Sequence, residues 1–132
     1  LALRYDNAMV LNNYAYFLSL EGRDLERALA MAGRAIVLEE NNPTYLDTYA
    51  WVLYRLGRYD EAKKTMQQAL SLDRSQSPDL QLHYGDILAA LGEKFMAEVY
   101  WKKALEGGYD DPDAIVERFR RLKEAAQTPA AP

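Results

Sequence analysis

An all-α stack of helical hairpins is predicted by three observations: a twelve-residue block that occurs three times, a glycine that closes each copy, and helical spacing of apolar residues on both sides of that glycine. The copies read LNNYAYFLSLEG at 11–22, LDTYAWVLYRLG at 46–57 and QLHYGDILAALG at 81–92. Tyr14, Tyr49 and Tyr84 recur every 35 residues, as do Gly22, Gly57 and Gly92. Behind each glycine stands a pair of alanines seven apart: Ala28 and Ala35, Ala62 and Ala69, Ala97 and Ala104.

Both halves of each copy carry the period of a helix. Leu46, Tyr49, Ala50 and Leu53 fall at i, i+3, i+4 and i+7, and Ala62, Met66, Ala69 and Leu70 repeat the stripe after the turn. The spacing predicts paired helices over 8–20 and 24–39, 43–56 and 59–72, and 78–91 and 94–107. Start signals agree. Asn42 precedes Pro43, Ser77 precedes Pro78 and Asp111 precedes Pro112, each placing a capping side chain before a proline whose missing N–H is no loss at the first helical position. The three glycines are expected to take the positive φ of a helix C-cap. Small residues are expected where two antiparallel helices cross most closely, with Ala15, Ala50 and Gly85 opposite Ala28, Ala62 and Ala97. The regularly spaced tyrosines are expected in the core.

These readings divide the chain into hairpins over 6–41, 42–76 and 77–110, a capping helix over 111–126 and a disordered tail over 127–132. The capping helix carries Ile115, Phe119 and Leu122 on one stripe and Glu117, Arg118, Arg120, Arg121 and Lys123 elsewhere, as a terminal unit with one wet face should. Residues 2–6, ALRYD, match residues 69–73, ALSLD, so residues 1–5 are expected to be the tail of a preceding hairpin's second helix.

Composition narrows the function classes. The 132 residues carry 16 Lys plus Arg against 20 Asp plus Glu, a net charge of −4 that disfavours nucleic acid, whose affinity rests on clustered cations. With 49% apolar and 27% charged residues the chain is neither disordered nor membrane-inserted. No cysteine is present, so the compartment stays open and thiolate chemistry is unavailable. His83 is the single histidine, and with Asp86 one turn on it lacks a registered nucleophile or oxyanion donors, which argues against an enzyme. The DDPD run at 110–113 reads as helix capping, not as a cation site, and no cofactor is implied.

A period of 34–35 with aromatic or Leu, small residue, Leu, Gly, Ala, aromatic or Met, and Ala resembles the tetratricopeptide repeat family over residues 8–107. Leu11, Leu46 and Gln81 stand where the family usually has an early Trp, and the first copy has one extra residue between Gly22 and Ala28. The wording of the second and third copies is similar to hairpins near the C-terminal end of longer bacterial multi-repeat proteins. The resemblance implies an α-α superhelix whose first helices line a peptide- or protein-binding groove. By register the groove positions are Met9, Asn12, Tyr16, Ser19 and Leu20, then Thr44, Asp47, Trp51, Tyr54 and Arg55, then Asp79, Leu82, Asp86, Ala89 and Ala90. Asn12, Tyr16, Asp47, Trp51, Tyr54, Arg55, Leu82 and Asp86 are the binding candidates, centred on Trp51.

One subgroup of the family grips the carboxylate tail of chaperones with Lys, Asn and Arg; here Asn12 and Tyr16, Thr48, Leu82 and Asp86 occupy those places, so a chaperone tail is a poor fit. Two other readings remain in view. In one the hairpins only extend a superhelix or self-associate through exposed repeat ends; in the other, as in pentatricopeptide units of the same period, they bind RNA, against which Asp47, Asp79 and Asp86 outnumber Arg55.

Overall fold

The computed structural model describes residues 7–127; the readings of residues 1–5 and of 128–132 lie outside them. Seven helices and no strand are found among the described residues. They are α1 (Ala8–Glu21), α2 (Leu25–Leu38), α3 (Pro43–Arg55), α4 (Tyr59–Leu72), α5 (Pro78–Ala90), α6 (Lys94–Glu106) and α7 (Pro112–Gln127). Expected and observed helix ends agree within one residue. Gln127, assigned above to a disordered tail, is instead the last residue of α7, because nothing between Asp113 and Gln127 breaks a helix.

Capping chemistry sets the starts. Asn42 Oδ1 accepts from the amides of Thr44 at 2.9 Å and Tyr45 at 3.2 Å, and Asp111 Oδ1 accepts from Ala114 at 3.3 Å. Asn7, which the sequence reading did not single out, caps α1 through Val10 at 3.0 Å. Ser77 occupies the cap position of α5 but makes no side-chain cap bond, so Pro78 is the start signal there. Asn42→Ala should lower stability by about 1 kcal/mol in chemical denaturation, two amides losing one shared acceptor.

The hairpin turns follow one hydrogen-bond scheme. Gly22, Gly57 and Gly92 sit at φ of 69°, 81° and 82°, and the amide after each reaches back to the carbonyl five residues before it, Arg23 to Leu18, Arg58 to Leu53 and Glu93 to Leu88. The extra residue of the first copy is absorbed by Asp24, which adopts a left-handed φ of 50° directly before α2.

The chain divides between Ser75 and Gln76 into two compact units, one built of α1–α4 and the other of α5–α7. In the first, Leu11, Ala15, Leu18, Ala28, Met31, Ala32 and Ala35 form the seam of α1 with α2. Tyr45 and Val52 of α3 enter that same cluster, docking the second hairpin on the first. Burial, reinforced by the nearby Glu39 carboxylate, raises the Tyr45 phenol above its ordinary pKa. Ala50 and Leu53 are buried with Ala62, Met66 and Ala69 in the second hairpin. In the second unit Tyr84, Ile87 and Leu88 of α5, Ala97, Trp101 and Ala104 of α6 and Ile115 of α7 make the core. Of the three registered tyrosines only Tyr84 is buried; Tyr14 and Tyr49 are half-buried and pack against the edge of the core. The outer face of α7 is a charged ladder in which Glu117 takes Arg120 and Arg121, and the Arg120 hydrogen bond holds its carboxyl down at about 2.

Candidate functional site

The first unit brings six of the candidate residues onto two neighbouring helices, α1 and α3. Helical spacing does this: Asn12 and Tyr16 lie one turn apart on α1, and Asp47, Trp51, Tyr54 and Arg55 fall at i, i+4, i+7 and i+8 on α3. Asn12 and Asp47 are buried, Tyr16, Trp51 and Tyr54 are half-buried, and Arg55 is exposed.

Trp51 and Tyr54 are stacked, with ring centroids 4.6 Å apart and planes inclined by 17°. Tyr59 at the start of α4 backs Tyr54 from 5.5 Å, so the pair is held as a rigid plate whose rings have two rotatable bonds each. Tyr59 was missed in the sequence because it follows the turn glycine and belongs to no first-helix register. Arg55 reaches toward the α1–α2 turn, its guanidinium 2.8 Å from where a Cβ on Gly22 would stand. Asn12 Oδ1 is fully shielded and accepts no hydrogen bond, while its Nδ2 donates to Asn13 at 3.4 Å. The aromatic plate offers rigid apolar area and the guanidinium can pair with a carboxylate, whereas the Asn12 oxygen is closed off from the surface.

The second unit places its two candidates differently. Leu82 is 2% exposed and packs in the core. Asp86, at 7%, accepts from Trp101 Nε1 at 2.9 Å, Arg118 Nε at 2.7 Å and Arg118 Nη2 at 2.9 Å. The register position that carries Tyr16 and Trp51 in the first two copies is therefore spent in the third on fastening α7. The partner, Arg118, was read as part of a solvated face.

The third copy also exchanges volumes across its seam. Ala50 and Met66 of the second copy become Gly85 and Trp101 at the same 35-residue offset. A Cβ on Gly85 would lie 2.4 Å from Trp101 Cδ1 and 2.6 Å from Nε1, so glycine is what admits the indole.

Comparison with known proteins adds three findings. The tetratricopeptide repeat profile matches residues 43–75. A TPR repeat-containing protein of Pseudomonas aeruginosa is 31% identical over 81 residues, which is 61% of this chain and 13% of that protein, so this chain spans a small part of its relative's length. Among solved structures, the type III secretion translocator chaperone SycD of Yersinia enterocolitica is similar over 93% of this chain and 96% of its own, with a TM-score of 0.75 at 19% identity. The first TPR of Spaghetti (RPAP3), solved with an HSP90 peptide, is similar over 92% and 94%, with a TM-score of 0.77 at 19% identity. At that identity the likeness establishes the all-α repeat fold.

Proposed function

We propose that this chain is a tetratricopeptide-repeat, non-catalytic interaction scaffold that binds a peptide or protein segment on the α1–α3 surface of its first unit. The observation that carries this reading is the stacked Trp51–Tyr54 plate, half-buried and braced by Tyr59, with the exposed Arg55 next to it. Rigid aromatic rings beside a guanidinium lose little side-chain entropy on contact, which is why such groups dominate binding energy. The first TPR of Spaghetti was solved with an HSP90 peptide. On this chain Thr48, Leu82 and Asp86 replace the cations and amides of a carboxylate clamp, and Asp86 is already paired with Arg118, so the inferred ligand is not an acidic chain end. No helix among the described residues is long and apolar enough to cross a membrane, and the net charge of −4 speaks against nucleic acid.

The test uses a peptide selected against this chain from a random display library, titrated calorimetrically. Trp51→Ala should weaken binding by about 2 kcal/mol or more, roughly 30-fold, with little change in thermal midpoint. Unchanged affinity in a folded Trp51→Ala variant removes the site from α3. A large drop in midpoint instead makes Trp51 a packing residue, and the reading of a structural or self-associating segment of a larger superhelix, with the partner bound elsewhere, then takes over; the exposed Phe17 of α1 favours its superhelix-extending form.

A further inference from the structure

The 35-residue period marks a face of α1 that has a buried counterpart on α3. Tyr45, Thr48 and Val52 lie on one side of α3 and are 8%, 3% and 0% exposed. Tyr45 and Val52 share a core with Ala8, Leu11, Ala28, Met31, Ala32 and Ala35, the small-residue seat that α1 and α2 offer together. Thirty-five residues earlier the same positions are Val10, Asn13 and Phe17. Val10 is 36% and Phe17 46% exposed, and Asn13 is exposed as well. The other exposed apolar residues of α1, Met9 and Leu20, correspond to Thr44 and Arg55, which are exposed on α3 too. The register thus separates α1 into positions that face solvent in both hairpins and positions that are covered in one and bare in the other.

We propose that Val10, Asn13 and Phe17 are the docking face for a preceding helical hairpin of the same repeat pattern within the natural polypeptide, seated as Tyr45, Thr48 and Val52 are seated on α1 and α2. The contact continues an interface already present in the molecule, with the same helix, the same spacing and the same residue class at two of three positions. Its chemistry can be specified. The seat must offer alanine-sized residues where Ala28, Ala32 and Ala35 stand, because Phe17 is larger than Val52. It needs no carboxylate at the end of its second helix, since Val10 lacks the hydroxyl that Tyr45 directs at Glu39 over 3.5 Å. The Arg23 guanidinium, 5.9 Å from the centre of the Phe17 ring, shields that ring on one side and does not replace such a seat. A second copy of this chain would meet the face with its own protruding Val10 and Phe17 in a two-fold contact, not with a small-residue seat. The P. aeruginosa relative, of which this chain spans 13%, has ample length for more hairpins.

Hydroxyl-radical labelling read by mass spectrometry distinguishes the cases, applied to this 132-residue chain and to the full polypeptide its gene encodes. Phe17 and Val10 should be labelled several-fold less in the full polypeptide, while Met9 and Leu20 are labelled alike in both. Phe17→Asp should then lower the thermal midpoint of the full polypeptide by several degrees and leave that of the shorter chain in place. Equal labelling of Phe17 in the two, or a gene without a hairpin pattern before residue 1, overturns the proposal. So does protection of Phe17 in the shorter chain that grows with its concentration, which would assign the face to a second copy.

Discussion

Arg118→Ala should release α7 from the second unit and cost about 2–4 kcal/mol of stability. The pair joins an Asp86 side chain that is 8% exposed to an Arg118 side chain that is 29% exposed, through two parallel bonds of 2.7 and 2.9 Å. Removing one member of a fully buried pair costs about 3–5 kcal/mol because the other charge is left without a partner. The figure here is set lower because Arg118 keeps part of its surface in water. What remains for the Asp86 carboxylate is the Trp101 indole N–H at 2.9 Å. The apolar grip of α7 is small: Ile115 is buried, and Phe119 meets Trp101 edge-on at 5.7 Å. Urea denaturation gives the total, and hydrogen exchange should show the amides of α7 losing protection before those of α5 and α6. A double change to Asp86→Leu and Arg118→Met should recover only part of the loss, since it leaves no orphaned charge but takes the acceptor from the buried Trp101 indole N–H. A loss under about 0.5 kcal/mol for Arg118→Ala would class the pair with ordinary surface bridges.

Gly85→Ala is the second large effect, against the usual sign. Alanine in a helix interior normally stabilises by about 1 kcal/mol over glycine. Here the added methyl would stand 2.4 Å from Trp101 Cδ1 and 3.2 Å from the Ala97 carbonyl oxygen. Neither neighbour yields easily: one is backbone, and the other is a ring at 4% exposure tied to Asp86. Overpacking of about 1–3 kcal/mol combines with weakening of a charge-assisted bond worth about 1.5–3, so a net loss of roughly 2–4 kcal/mol is expected. Gly33→Ala is the internal control. A Cβ there meets nothing within 4 Å, so that variant should be more stable than the parent by about 0.5–1 kcal/mol. If both glycines respond alike, close packing of Trp101 on Gly85 is not what holds the third seam.

Several features of the site were readable before any coordinates. The six first-unit candidates share α1 and α3 because a 3.6-residue period places them there, and that period is written in the order of residues. Gly85 was set opposite Ala97 by that pattern, but Trp101 was not singled out, and only the packing of α6 on α5 brings its indole against the glycine. Asp86 was different. Its place in the register matches Tyr16 and Trp51, and only the approach of Arg118 from 32 residues downstream turns it from a groove position into an anchor. Likewise, the stacking of Trp51 on Tyr54 needs rotamers, and its bracing by Tyr59 needs the α3–α4 turn to close.

Helix ends, turn glycines and methyl-sized seams follow from the order of residues alone, because capping, left-handed φ and the helical period act over a few neighbours along the chain. Whether a side chain is covered is another matter. Val10 and Phe17 stand in register with Tyr45 and Val52, yet one pair is bare and the other lies in a core. Burial belongs to what packs against a residue, and that is decided when separate hairpins meet.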